Sequence, residues 1–456
     1  MDTKQLRQKI LDLAIRGKLV PQDPNDEPAS VLLERVKAEK ERLIAEGKIK
    51  RSKKSAASSD KPHYANWDLP RGWEWVKLSD LASFGGGKTP SMSDKSYWEN
   101  GKHLWVTSKD MKSHRIRDSR MKISDEALSI MTQYKPGTIL IVTRSGILRH
   151  SLPIAILERD ATINQDLKAI SFYIQDLHPY IYYAIKAQES FILKEYHKDG
   201  TTVDSINFEK FSEILLPIPP KQEQIRIITT IEKLFGLIEE IDNNKKDLQE
   251  LTRHTKSIIL DMAISGKLVV QDPADKPAAD LLQRVNPNAV VSADTSHYGQ
   301  LPNGWSYTTM NFICQLYDGE KIENKELINL DAKYLRGKSE GNILNKGRFT
   351  PEKTTMILVD GENSGEIFTA PIDGYQGSTF KLLDISEEMN AEYVKMIIRI
   401  YQKRLRDNKV GSAIPHLNKK MFREILVPVP PIAEQTRIVG RTNELMSKIT
   451  ELSEAL

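Results

Sequence analysis

The chain has 456 residues, 39% of them hydrophobic and 28% charged, with one cysteine and a formal net charge of +4. That length predicts about three domains. No apolar run approaches the roughly 20 residues that cross a bilayer, the opening Met1-Asp2-Thr3-Lys4-Gln5 is no signal segment, and lone Cys314 excludes an internal disulfide framework or a cysteine-rich zinc site. A cytoplasmic protein with a buried thiol is expected.

Charge is unevenly spread. Residues 1–62 carry 15 Lys and Arg against 10 Asp and Glu, whereas 291–430 carry 18 against 18. Bulk charge therefore makes neither large middle segment a nucleic-acid binder.

From the N-terminus, Ile10 to Val36 reads ILDLAIRGKLVPQDPNDEPASVLLERV, and Ile259 to Val285 matches it at 19 of 27 positions. Gly200 to Ile228 is answered by Gly411 to Val439, and Leu69-Pro70-Arg71-Gly72-Trp73 by Leu301-Pro302-Asn303-Gly304-Trp305. The segments between these anchors, 74–199 and 306–410, show no convincing mutual likeness. The sequence is two copies of one scaffold carrying two divergent inserts.

After Pro220 the central copy predicts one helix from about Gln222 to Ala263. Ile231, Leu234, Ile238, Ile241, Leu248, Ile259 and Met262 fall on three- and four-residue steps, a coiled-coil seam that Lys245, Thr252 and Thr255 interrupt. Leu445, Ile449, Leu452 and Leu456 repeat it at the C-terminus. By the two offsets Leu456 answers Lys245 and Met1 answers Glu250, so the second scaffold copy is split between the chain ends, lacking only the equivalents of 246–249. This predicts a pseudo-two-fold cyclic arrangement, with the central helix paired antiparallel to the split one and the termini close together.

Gly17 and Gly266 stand where these helices should end. A second short helix follows in each copy, from Ala29 to about Glu46 and from Ala278 to Val285, and 47–62 reads as a flexible basic linker. The implied segments are 1–62 (N-terminal half of the distal helical region with linker), 63–219 (first insert), 220–296 (central helical region), 297–430 (second insert) and 431–456 (C-terminal half of the distal region).

The inserts read as α/β (α+β) domains. Strands are expected over Thr138 to Val142, Pro153 to Leu157 and Met356 to Val359, and helices over Tyr180 to Glu195 and Ala391 to Arg406. Trp73, Trp75, Trp98, Trp105 and Trp305 are core candidates. Basic residues cluster at Lys109, Lys112, Arg115, Arg117, Arg120 and Lys122, at Lys333, Arg336, Lys338, Lys346 and Arg348, and at Arg399, Lys403, Arg404, Arg406 and Lys409. Such clusters supply phosphate contacts, while Arg, Asn, Gln, Ser and Thr on loops read base edges. Each one taken singly is as readily a solvated helix face.

Catalytic motifs are lacking. Ala82 to Thr89 and Ala332 to Ser339 fit a relaxed P-loop, but Pro90 and Glu340-Gly341-Asn342 are poor helix openings after them. There is no Asn-Pro-Pro-Phe/Tyr or Asp-Pro-Pro-Tyr element of amino-group DNA methyltransferases, no H-E-x-x-H spacing, and no Ser-His-Asp or Cys-His assembly.

The duplicated Pro-x-Pro-Pro-x-x-Glu-Gln-x-x-Ile element (Leu216 to Ile227 and Val427 to Ile438), with the duplicated Ala-Ile-x-Gly-Lys-Leu-Val element, resembles type I restriction-modification specificity subunits along the whole chain. Gly86-Gly87-Lys88-Thr89-Pro90-Ser91, Pro136-Gly137-x-Ile139-Leu140 and Asn164-Gln165 resemble that family's target recognition domains. The second insert departs from this, with Leu316-Tyr317-Asp318-Gly319 in place of the Thr-Pro-Ser segment.

The resemblance implies two target recognition domains separated by a long antiparallel coiled coil that acts as a ruler, each domain reading half of an asymmetric bipartite site in double-stranded DNA. It implies docking of two methyltransferase subunits and two restriction subunits. S-adenosylmethionine, ATP and Mg would sit on those partners, with no cofactor, metal or catalytic residue on this chain and no membrane partner.

By residue type and loop position, the DNA-contact candidates in the first domain are Lys88, Thr89, Ser91, Lys109, Arg115, Arg117, Arg144, Ser145 and Gln165. In the second they are Lys321, Arg336, Lys338, Asn345, Arg348, Asn363 and Ser364. Lys198, Thr201 and Thr202, with Lys409 and Ser412, belong to a duplicated loop expected to meet the backbone in both halves. Two other classes are left open: a coiled-coil scaffold without DNA recognition, and a self-sufficient methyltransferase or nuclease, which the missing motifs disfavour.

Overall fold

The computed structural model describes residues 2–49, 62, 65–200, 203–289, 301–410 and 415–454. Most of the expected linker 47–62, and the final seam residue Leu456, lie outside the described residues. The chain divides into two units, Met1–Asn243 and Asn244–Leu456. The helix Lys221–Ile264 runs unbroken for 44 residues from one into the other, close to the expected 222–263. No helix among the described residues is long and apolar enough to cross a membrane.

Each unit opens its scaffold in the same way. In the first, the helix Thr3–Ile15 is capped by the Asp2 carboxylate, which accepts from the Lys4 and Gln5 amides. It ends at Gly17 (φ +65°), where the Lys18 amide reaches Leu13 O at 2.9 Å and the Gly17 amide reaches Ala14 O at 3.2 Å. This is the paired bonding that a left-handed residue at a helix end permits. A Cβ on Gly17 would also meet Pro70 Cγ at 2.3 Å.

The second unit repeats this with Gly266 (φ +68°), Lys267 N–H to Met262 O at 2.9 Å, and Pro302 Cγ at 2.3 Å from a built Cβ. The helix-ending glycine and the Leu-Pro-x-Gly-Trp repeat are thus halves of one packing contact.

Within the first unit the N-terminal helix runs antiparallel to the start of the long helix. Arg7 pairs with Asp242 at 3.0 Å and lies over the Phe235 ring, while Asp26, further along, accepts from Arg226 at 2.5 and 3.3 Å. Ile10, Leu11, Ala14 and Ile15 share a core with Ile227, Ile231 and Ile238. In the second unit Arg437 pairs with Asp275 at 2.6 Å, and Ala263 shares a core with Ile438.

Periodicity predicts a seam buried along its length, and the structure buries only part of it. Ile231, Ile238 and Ile259 are buried, but Leu248 and Met262 are 36% exposed and Leu452 is 68% exposed.

The first insert is built on a five-stranded sheet in the spatial order Ala82–Gly86, Leu167–Phe172, Ile139–Val142, Ile154–Leu157, Arg115–Ile116. Both faces are covered. Ile139 and Ile141 face one core with Tyr180 and Ile181 of the helix His178–Ala187. Leu140 and Val142 face another with Leu104 and Val106 of a three-stranded sheet ordered Met121–Ile123, His103–Val106, Ala161–Ile163. A strand buried on both faces reads as a continuous apolar run, which makes these strands legible in the sequence.

The helix expected over Tyr180 to Glu195 is two, His178–Ala187 and Glu189–Glu195. They part at Gln188, where the Glu189 carboxylate accepts from the Leu152 amide at 2.6 Å and from Lys186 at 2.5 Å.

The second insert keeps the core and changes the rest. Its four-stranded sheet runs Cys314–Tyr317, Phe380–Ile385, Thr355–Leu358, Ile367–Thr369, and Met356 and Ile357 again face opposite cores. The helix Ala391–Asp407 packs as His178–Ala187 does: Tyr393 Oη donates to Pro428 O at 2.7 Å, and Tyr180 Oη to Pro217 O at 2.7 Å. In place of the three-stranded sheet stands a long hairpin, Lys321–Leu330 with Ile343–Thr350, both strands pairing with Gly374–Gln376.

Trp73, Trp75, Trp105 and Trp305 are buried as expected, while Trp98 is half-buried, edge-on to Trp105 at 5.1 Å. Cys314 is buried, which pushes its thiol up to about 12. Neither P-loop-like segment has a strand, loop and helix in order: Ala82–Gly86 is a strand leading to buried Pro90, and Ala332–Leu335 is itself helical.

Candidate nucleic-acid interface

Sheet register decides which candidate residues meet. In the first insert Ala82–Gly86 and Ile139–Val142 both run antiparallel to the strand between them, Leu167–Phe172. The loops after Gly86, before Leu167 and after Val142 therefore emerge at one end of the sheet. They carry Lys88, Thr89 and Ser91, then Gln165, then Arg144 and Ser145.

Hydrogen bonds join these loops into one rim. Thr89 Oγ1 donates to Gln165 Oε1 at 2.6 Å. The Thr143 amide donates to Asp166 O at 2.8 Å, and the Ser145 amide to Asp204 O at 3.0 Å. The strand His197–Lys198 pairs with Ser205–Ile206, and the Ile206 amide donates to Thr143 O at 2.9 Å, which brings Lys198 alongside. Lys109 lies on the turn Ser108–Asp110, just after Val106, whose carbonyl accepts from the Asn164 amide at 3.0 Å.

The glycines of the first loop serve close packing. A Cβ on Gly87 would lie 1.9 Å from Ile163 O, and one on Gly85 would lie 2.1 Å from Tyr134 Oη, which itself donates to Gly86 O at 2.8 Å. The loop can lie flat on residues 163–164 only without side chains there. Among the described residues only the single turn Lys95–Tyr97 follows, and the Asp94 carboxylate caps it, so no α-helix turns these amides on a phosphate.

Electrostatics separate the free cations from the bound ones. Arg149 Nε donates to the Asp204 carboxylate, 1% exposed, at 2.6 Å and holds it below the usual range. Lys88, Lys109, Arg144 and Lys198 are exposed, and none has an acidic partner among the described residues. Arg115 and Arg117 are not brought to the rim. Both pair with Glu158, which follows Leu157 at the opposite end of the sheet, and Arg115 also reaches Glu232 at 3.4 Å. Arg117 foremost holds Glu158 below the usual carboxylate range.

The second insert builds the corresponding rim from other residues. Cys314–Tyr317 and Thr355–Leu358 run antiparallel to Phe380–Ile385, so the loops after Tyr317, before Phe380 and after Leu358 share one end. Gln376 ties them: its Oε1 accepts from the Gly319 amide at 2.9 Å, and its Nε2 donates to Asp318 Oδ1 at 2.9 Å and Phe380 O at 2.7 Å. Lys381 also binds Asp318 and is the main cause of its depressed pKa. Arg348 Nη1 donates to Gly319 O at 3.2 Å, and Lys321 stands opposite Arg348 in the hairpin register. A Cβ on Gly319 would lie 2.1 Å from Phe349 O, the same kind of crossing that Gly87 makes.

Asn363 is exposed in the loop after Leu358, and Ser364 beside it is fully buried. Lys409 binds Glu362 at 2.7 Å, and the Gly361 amide donates to Pro415 O at 2.8 Å. The duplicated loop therefore meets the loop after Val142 in the first unit and the loop after Leu358 in the second; Thr201, Thr202 and Ser412 within it lie outside the described residues. Arg336 binds Glu366 and lies over the Phe368 ring. Lys338 and Asn345 are exposed, Asn345 on the hairpin.

Asp204, Arg149 and Gln376, which organise the two rims, are not among the residues singled out from the sequence. Arg149 and Gln376 lie in the divergent inserts, and Asp204 lies in the duplicated segment but answers Pro415 there, so the repeat does not mark it. His197, Asp199 and Asp204 could bring ligand atoms within 4.8 Å of one another, but Arg149 already occupies Asp204. The Arg149–Asp204 pair anchors the loop.

Comparison with known proteins agrees with this architecture. The family described as the type I restriction modification DNA specificity domain matches residues 70–253 and 302–456. The type I restriction enzyme EcoEI specificity subunit of Escherichia coli is 28% identical over 99% of this chain and 90% of its own length. The EcoAI specificity subunit of the same organism is 24% identical over 98% and 90%. Among solved structures, a chain from work on assembly and conformational transition of the type I R-M system aligns with a TM-score of 0.59 at 16% identity, over 85% of this chain and 94% of that one. The HsdS subunit from Thermoanaerobacter tengcongensis aligns with a TM-score of 0.50 at 16% identity, over 86% and 93%. With two matches to that one family, falling on two units that share a duplicated scaffold, the chain belongs to the type I restriction-modification DNA specificity family.

Proposed function

We propose that this chain is the sequence-reading subunit of a type I restriction-modification complex and performs no chemistry itself. Each insert reads one half of an asymmetric bipartite DNA site. The observation that carries this reading is the recurrence of one kind of rim on two divergent inserts. In both, loops at one sheet end, pinned by side-chain amides and by a duplicated loop, offer exposed cations and amide or hydroxyl side chains. Cations of this kind position a protein on phosphates, and amides such as Gln165 and Asn363 read base edges.

Different residues on the two rims give different half-sites, so the target lacks the palindromic symmetry that identical half-site readers impose. The scaffold docks two methyltransferase subunits, and with them two restriction subunits. S-adenosylmethionine, ATP and Mg act on those partners. Arg115 and Arg117, ion-paired away from the rim, take no part in base reading.

The test is methylation mapping. The chain is expressed with its methyltransferase partner in a host lacking other modification, and the genome is sequenced for methylated adenine. A single two-part asymmetric motif is expected. Absence of any new motif, or a palindromic one, overturns the proposal. Transfer of a labelled methyl group to DNA by this chain alone overturns its non-catalytic part.

A further inference from the structure

The hairpin of the second insert has no counterpart in the first. Its strands, Lys321–Leu330 and Ile343–Thr350, are 10 and 8 residues long. We propose that this two-stranded ribbon enters the DNA major groove and that Asn345 and Lys346 read bases of the half-site assigned to the second domain. The proposal rests on the DNA-reading function proposed above and names the element and residues that deliver it.

Three observations carry it. First, the middle of the ribbon is bare on both faces: Asn324, Lys325, Asn345 and Lys346 are exposed in succession, and Ile343 is 67% exposed. A free-standing hairpin gains little from its own pairing in water, so this one owes its place to anchors elsewhere.

Second, those anchors are present and hold the ribbon in one attitude. Tyr375, 1% exposed, donates from Oη to Lys325 O at 2.7 Å, where the register shifts between Glu323 and Leu327 and Asn324 takes φ +63°. A Cβ on Gly347 would meet the Tyr375 ring at 2.8 Å, so the missing side chain lets the ring lie against the ribbon. Third, one end of the ribbon is part of the rim, through Lys321 opposite Arg348 and through Arg348 on Gly319 O.

The chemistry suits the major groove. At roughly 12 Å wide, that groove admits a two-stranded ribbon; an amide pairs with adenine N6 and N7, a lysine with guanine O6 and N7, and an apolar side chain with the thymine methyl. Ile343 and Asn345 supply the apolar group and the amide on one face of the strand, and Lys346 supplies the ammonium on the other, so the ribbon meets the groove edge-on with both bare faces toward its walls. The first insert has a three-stranded sheet between its first two rim loops, so the two half-sites are read by different elements.

The experiment uses the full chain with its methyltransferase partner. Wild type first yields its motif; if none appears, the function proposed above fails and the ribbon is not at issue. Given a motif, Asn345→Ala and Lys346→Ala are expected to make one or two positions degenerate in one half only, with about tenfold or greater loss of discrimination there. The other half and the spacer stay unchanged. Both side chains are exposed, so melting temperature should not move, and Asn345→Asp serves as a second variant that keeps the side-chain shape.

Synthetic duplexes then separate the grooves. Replacing purines of the affected half by 7-deazapurines should weaken wild-type binding about tenfold, and Asn345→Ala or Lys346→Ala should lose that sensitivity. An unchanged motif in all variants, equal degeneracy in both halves, or sensitivity to inosine-for-guanine replacement alone, which alters the minor groove, would overturn the proposal. If a folded variant methylates nothing, its binding to the same duplexes decides between these outcomes.

Discussion

Glu223 and Glu434 occupy the same place in the two scaffold copies, each 1% exposed near the start of a long helix. Each accepts an indole hydrogen, from Trp73 at 2.9 Å and from Trp305 at 3.0 Å. Burial raises both pKa values, and the indole bonds with nearby Arg226 and Arg437 only partly offset it. The consequence for stability has a definite sign. Below the unfolded value of about 4.3 the carboxyl is protonated in both states and burial of charge costs nothing. As pH rises the unfolded chain releases its proton first, so stability falls until the raised folded value is passed. Glu223→Gln keeps an oxygen for Trp73 and removes the titration. Its urea midpoint should therefore gain on wild type as pH rises above about 4, and Glu434→Gln should do the same. A difference between variant and wild type that is flat with pH would show that Glu223 carries its charge without penalty.

The long helix shows how one element can be stabilised unevenly. Ile238 is 2% exposed in the core that Ile10 and Leu11 of the N-terminal helix share, whereas Leu251 on the same helix is 59% exposed. Ile238→Ala should cost about 2–5 kcal/mol and lower the urea midpoint, while Leu251→Ala should stay within about 0.5 kcal/mol. Similar losses from both would mean that Leu251 is covered in solution. Sequence periodicity locates this helix almost to the residue because three- and four-residue spacing depends only on the element itself. It overestimates the buried seam because burial depends on where a partner helix runs out. The same distinction explains the inserts. Ile139 to Val142 is legible because both faces are apolar, and the hairpin Lys321–Leu330 with Ile343–Thr350 is not, because its exposed middle shows no alternation and 12 residues separate its strands. Thr89 and Gln165 are each recognisable by type, but their hydrogen bond across 76 residues follows from sheet register, which no local pattern displays.

For the whole molecule, a net charge of +4 in 456 residues is too weak to attract DNA by itself. Binding must come from local cations that the fold leaves unneutralised. On the first rim these include Lys88 and Lys198, exposed and without acidic partners among the described residues, whereas Arg149 is held by Asp204 and Arg117 by Glu158. This division makes the salt dependence of binding informative. Removing a single lysine–phosphate pair should flatten the slope of log K against log salt by about 0.9. Replacing Lys88 and Lys198 together by Ala should therefore flatten the slope for the assembled methyltransferase complex by roughly 2, and weaken its binding to matched and mismatched duplexes alike. The methylated motif should be unchanged, because phosphate contacts carry no base information. Arg117→Ala should leave the slope where it is, since its guanidinium already neutralises a carboxylate. If Arg117→Ala flattens the slope and the lysine pair does not, the Glu158 ion pair opens on binding and DNA runs along the opposite end of the sheet.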